Sequence, residues 1–234
     1  MLEGLKRLFT SRPSSGSRRW DAVSTWAETR QWAFRGVRDH DGFVVEGRFG
    51  GTRPWRLEWG PSQRPYIDGA ELRLRSEVGL PADLQALVMD RTLQQQLERQ
   101  VFDQYVEGVQ TRIDDQTPPE MRWLVMFPRL TPAEMGALRE QYVAMASAKP
   151  WLQQWLGGPL AARLAASPAG DRPFVLMAAR GRLTLRTAVA EPSGAVLEAW
   201  LALFETAVSE AWRTGVEVFG AEAMQPGVAR STQR

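Results

Sequence analysis

Two ten-residue stretches of this chain nearly repeat each other 111 positions apart, Leu72–Pro81 (LRLRSEVGLP) and Leu183–Pro192 (LTLRTAVAEP). Five positions are identical (Leu72/Leu183, Leu74/Leu185, Arg75/Arg186, Val78/Val189 and Pro81/Pro192), and Ser76/Thr187 is conservative. In both, Leu alternates with polar or charged residues, the period of a strand with one buried and one solvated face. Each passes through a short turn and a Pro into an apolar stretch that reads as a helix. The pattern predicts two related strand-to-helix halves. Coincidence is the competing explanation, because Leu and Arg are common here and any half-exposed strand would alternate them. Arg75/Arg186 is the only repeated charge.

The rest of the chain is punctuated to match. Asp21 or Ser24 starts a helix over 21–35, with Trp26, Ala27, Trp32 and Phe34 on its apolar side. Asp39-His40-Asp41-Gly42 is a turn, and strands follow at 43–49, 54–59 and 70–78. In the second strand Trp55, Leu57 and Trp59 share the core face, and Arg56 and Glu58 lie outside, within reach of an ion pair. Pro81 opens a helix over 82–108, and residues 114–120 connect the halves. Residues 123–127 read as a buried strand, and Thr131-Pro132-Ala133-Glu134 as a capping box that starts a helix to about 148. Residues 151–166 are helical with a break at Gly157-Gly158-Pro159. Strands 174–179 and 182–189 form a hairpin across Arg180-Gly181. Ser193 caps a last helix over 194–214. The expected fold is α+β: a mixed or antiparallel sheet with helices packed mainly on one face. The expected organisation is a basic segment at 1–19, one domain at 20–220 (halves 20–112 and 121–220) and a flexible tail at 221–234.

Composition removes several functions. There is no Cys, hence no disulfide and no thiolate nucleophile or metal ligand. The single His, His40, sits in a turn between two Asp, where a solvated turn residue is the simpler account than a triad or a metal ligand. No nucleophile elbow, dinucleotide fingerprint or phosphate-binding loop occurs. No signal peptide or spanning segment is legible, which fits a cytosolic compartment. The sequence pI near 9.4 suggests nucleic acid, but the net charge is only +2. Residues 1–19 carry five cations and one acid, a net of +4, so the remaining 215 residues sum to −2. The body is therefore not a basic protein.

What remains is an Arg- and aromatic-rich sheet region: Arg53, Trp55, Arg56, Trp59, Arg64, Tyr66, Arg73 and Arg75, with Arg186 added by the repeat. Such residues on a sheet can serve the fold, grip a partner or stack bases. The expected function is a non-catalytic bacterial cytosolic protein-binding or scaffold module, with a protein partner or a homodimer and no cofactor. The alternatives are an enzyme using carboxylates of the strand loops (Glu46, Glu58, Asp68, Glu71) with Arg, and a weak single-stranded nucleic-acid binder. Met1 to Phe9 resembles a short basic amphipathic anchor and residues 10–19 a polar Ser/Gly/Arg linker; the segment Met1 to Arg19 is expected at a membrane surface, docked on the domain, or disordered.

Overall fold

The computed structural model describes residues 18–106, 118–167, 169, 170 and 172–224. The proposed anchor up to residue 17, the connector at 114–117 and the tail beyond 224 lie outside them. A one-turn 3-10 segment, Arg18–Trp20, leads into α1 (Asp21–Glu28). Five strands follow: β1 (Ala33–Gly36), β2 (Phe43–Phe49), β3 (Arg53–Pro61), β4 (Ala70–Glu77) and β5 (Ala86–Asp90). Then come α2 (Arg91–Val106), α3 (Pro119–Met126), a single turn α4 (Pro132–Met135) and β6 (Tyr142–Ala146). The chain finishes with α5 (Lys149–Leu156), α6 (Pro159–Ala165), β7 (Phe174–Ala179), β8 (Arg182–Ala188) and the 26-residue α7 (Gly194–Phe219).

The eight strands form one open antiparallel sheet in the order β1-β2-β3-β4-β8-β7-β5-β6. This is an α+β fold. Its two centre strands are the two similar stretches of sequence, paired with Leu74 opposite Leu185. Each of these leucines faces its own equivalent, so a local two-fold axis passes between them. Four strands lie on either side. The chain fills them differently: β1 to β4 run in sequence from the edge inward, whereas β5 lies inside β6 on the other side.

Pleating sends alternate residues to opposite faces. On one face the row Phe34, Val45, Leu57, Leu74, Leu185, Leu176, Val88 and Ala144 crosses the whole sheet and is apolar throughout. Helices α1, α5, α6 and α7 pack on this side, and Trp151, Trp155, Trp200, Phe174 and Phe204 are fully buried there. Eight of the ten Trp are buried, seven of them in this layer, so their main work is to fill it. Their N–H groups constrain the packing: Trp59 Nε1 donates to the Val189 carbonyl at 2.7 Å, and Trp155 Nε1 to the Ala207 carbonyl at 3.0 Å. Gly47 lies opposite Trp55 because a Cβ there would stand 2.5 Å from the indole.

Four expectations are corrected. The first helix has Trp20 at its N-cap, with no side-chain cap from Asp21 or Ser24, and ends at Glu28; Phe34 belongs to β1, and Gln31 takes a positive φ of 60° and turns the chain. Pro81 opens no helix: residues 86–90 are strand β5 and α2 begins only at Arg91, so only the second of the two similar stretches leads directly into a helix. Leu87, Val88 and Met89 are all buried because both faces of that strand are covered, and such a strand shows the unbroken apolar run that also fits a helix. Residues 119–126 form α3 instead of a strand, which leaves Val125 and Met126 exposed. The capping box at Thr131 and Glu134 forms as read, but its helix stops after one turn, where Gly136 takes φ +53°, and Tyr142–Ala146 becomes β6. The capped α7, the 174–189 hairpin with Arg180 and Gly181 at φ 52° and 78°, and the break before Pro159 are found as expected.

Candidate binding face

The second face of the sheet changes character along its width. One row reads Glu46, Arg56, Arg75, Thr184, Met177, Leu87 and Met145 from β2 to β6. The next reads Val44, Glu58, Arg73, Arg186, Val175, Met89 and Val143. The switch from charged to apolar falls between β8 and β7. The apolar part is roofed by α2 and α3 through Leu93, Leu97, Trp123 and Leu124. Among the described residues no helix roofs the charged part, which spans β2, β3, β4 and β8.

On that open part the charges are layered. Glu58 accepts from Arg56 Nε at 2.5 Å and from Arg75 at 3.0 Å, and it also pairs with Arg73. Arg56 reaches Glu46 at 2.7 Å. Arg186 pairs with Glu71; the two are only 7% and 3% exposed. Arg73 and Arg186 are cross-strand neighbours of like charge. Burial, then the guanidiniums of Arg75, Arg186 and Arg56, pull Arg73 down to about 9, against the attraction of Glu58. Arg75 is lowered for the same reasons, burial first and then Arg186 and Arg182. The local field on this face is thus positive although the body as a whole is not.

At the border a buried carboxylate ties α3 to the β3–β4 loop. Glu120 is fully buried and accepts from Arg64 Nε at 3.0 Å and Tyr66 OH at 2.8 Å. Burial and Glu120 together push the Tyr66 phenol up. Burial would lower Arg64, but Glu120 outweighs it and holds the guanidinium above its ordinary value.

Between β8 and α3 runs an open groove of about 670 Å³. Six arginines line it, Arg64, Arg75, Arg122, Arg180, Arg182 and Arg186, and no carboxylate does. Its other wall is apolar, with Trp123, Met126, Met177 and Ala179. A second depression of about 760 Å³, toward β2, shares Arg75 and Arg182 with it, and there Glu46 and Glu77 join the lining.

The candidates from the sequence separate accordingly. Arg56, Arg73, Arg75 and Arg186 come together on the open face, and Arg64 joins Arg75 and Arg186 at the groove. Trp55 and Trp59 point into the core, as the alternation of β3 required. Arg53 lies elsewhere, with its guanidinium over the Trp212 ring of α7 at 4.8 Å. Tyr66 is engaged by Glu120. Sequence reasoning did not single out Arg122, Arg180, Arg182, Trp123, Met126 or Met177. Arg182 was within reach, since it continues the polar alternation of β8; the others need the position of α3 or the hairpin turn. Of the carboxylates, Glu58 and Glu71 share a small hollow of about 170 Å³ with His40, but arginines hold both. Among the described residues no cluster of His, Asp and Glu is placed to hold a metal ion. None of their helices is long and apolar enough to cross a membrane.

No protein-family model and no curated protein matches this chain. A solved structure, the mycobacterial trehalose monomycolate transport factor A, aligns over 92% of this chain and 99% of that one, at a TM-score of 0.45 and 10% sequence identity.

Proposed function

We propose that the protein is a non-catalytic binding module of a bacterial cytoplasm, and that it docks another protein on the open half of its sheet. One observation carries this reading: four strands present a charged, half-buried face that no described helix covers, beside a helix with two exposed apolar side chains. Val125 and Met126 are 76% and 66% exposed, and apolar groups left in water beside a polar rim are a recurrent mark of interaction surfaces. The carboxylates are held by arginines, which suits a fixed recognition surface better than proton transfer. Residues 1–19 would hold the module near the inner face of the membrane.

The test is photo-cross-linking inside the host cell. A benzophenone amino acid is placed at Arg56 or Thr184 on the open face, and at the exposed Glu205 of α7 as a control. A discrete protein adduct from the open-face positions, missing from Glu205, is the expected result. An adduct at twice the mass of the chain would make the partner a second copy. Adducts that do not distinguish the faces, or none at all, would remove the reading.

A further inference from the structure

We propose that the groove between β8 and α3 seats an acidic stretch of the partner polypeptide, with its carboxylates on Arg75, Arg182 and Arg186 and an adjoining apolar side chain against Trp123, Met126 and Met177. This rests on the docking reading above and gives the partner its chemistry.

Three observations converge on it. The first is charge: six guanidiniums line the groove against four carboxylates that pair with them from outside its lining, Glu120 with Arg64, Glu58 with Arg75, Glu77 with Arg182 and Glu71 with Arg186, so cations outnumber anions there. Arginine presents a planar fork that binds carboxylates two bonds at a time, so such a lining selects anions by geometry as well as by sign. The second is unused bonding capacity. Arg186 is nine-tenths buried, and its Nε has no hydrogen-bond partner among the described residues; the same holds for the buried Nε of Arg122. Buried donors of this kind are normally satisfied, so these two leave bonding capacity in residues that line the groove. The third is shape. The groove is open and runs on through Arg75 and Arg182 into the depression toward β2.

Shape also chooses among anions. A single phosphate cannot touch guanidiniums spread along such a trough. A long acyl chain asks for an enclosed apolar tunnel, whereas Trp123, Met126 and Met177 form one wall of an open cleft. A single-stranded nucleic acid asks for exposed rings on which bases stack, and Trp123, the one aromatic residue here, is buried. An extended acidic chain with an occasional apolar residue matches both walls.

The repeat gives this site its origin in the sequence. Arg75 and Arg186, its only shared charge, lie on the same face near the local two-fold, and both line the groove.

The experiment uses the full chain and a fluorescein-labelled peptide of Asp and Glu with two Leu, read by anisotropy at low salt. Saturable binding is expected. The Arg180→Glu/Arg182→Glu variant, altered at two exposed positions, should weaken it by about tenfold or more, the change that losing one charged pair brings. Replacing both Leu of the peptide by Ser should weaken it several-fold. Thermal melting of the variant shows that it is folded. Binding that charge reversal leaves unchanged, or that millimolar inorganic phosphate abolishes, would overturn the proposal. So would binding of anionic phospholipid vesicles or oligo-dT in place of the peptide. If cross-links form on the open face and the peptide does not bind, the docking reading stands and the acidic partner falls; if neither occurs, both fall.

Discussion

Arg73 and Arg186 stand opposite each other across β4 and β8, two like charges in register, yet they differ in what they hold. Glu58, the partner of Arg73, also has Arg56 and Arg75. Glu71, the partner of Arg186, is deeply buried and, among the described residues, otherwise accepts only the Gln63 N–H, at 2.8 Å. Removing one member of a buried pair is costly when it strands the other, and nearly neutral when other partners remain. Arg186→Met should therefore cost about 3–5 kcal/mol of unfolding free energy. Arg73→Met should change it by less than about 1 kcal/mol, because relief from Arg75 and Arg186 offsets the lost contact. Urea denaturation of the two variants decides this, and equal losses would contradict it. At this scale the alternation of β3 and β4 already separated Trp55, Leu57 and Trp59 from Arg56, Glu58, Arg73 and Arg75. It did not reveal which carboxylate each arginine meets, since Glu71 and Arg186 are 115 positions apart.

Short elements here were harder to read than long ones, and α4 shows why. Its capping box is a local device: the Thr131 N–H donates to the Glu134 carboxylate at 2.6 Å, and the Glu134 N–H to Thr131 Oγ1 at 3.4 Å. The continuation of the helix is not local, because Gly136 turns the chain away into a 3-10 turn, Gly136–Glu140, and Tyr142–Ala146 then pairs with β5. The cap carries a pH signature. The hydrogen bond from Lys149 and the Thr131 backbone hold the Glu134 carboxyl well below the usual carboxylate range, at about 2. A carboxyl depressed in the folded state stabilises it above the unfolded value and ceases to as pH falls toward the folded one. The stability advantage of wild type over Glu134→Gln should therefore be constant above about pH 5 and shrink between there and about pH 2. Urea midpoints across that range provide the check, and an advantage that does not fade on acidification would count against the assignment. The misread strand β5 makes the complementary point, since a strand buried on both faces loses the alternation by which strands are recognised.

Across the molecule, the sheet sorts by depth from its edges. β4 and β8 lie at its centre, while β1 is a four-residue edge strand with one partner. Amides of Leu74 and Leu185 should exchange with solvent only through global unfolding, and those of Ala33–Gly36 through local opening, faster by about 100-fold or more. Native-state hydrogen exchange measures both, and comparable rates would mean that the sheet opens as one unit. The sequence by itself determined the α+β class, the strands β2, β3, β4, β7 and β8, the faces of β3 and β4, the hairpin and the caps of α4 and α7. All of these depend on residues within a few positions of one another, where period and turn chemistry act directly. Only the tertiary structure decided that the two repeats pair with each other, that 86–90 and 142–146 are strands, and that the second face is charged on one side and roofed on the other. Those features depend on which distant segments cover a given surface, and a strand's own residues do not encode what lies above it. The arginine groove belongs to this second group: it exists because α3 stops at the border of β8, bringing Trp123 and Met126 beside arginines from four separate parts of the chain.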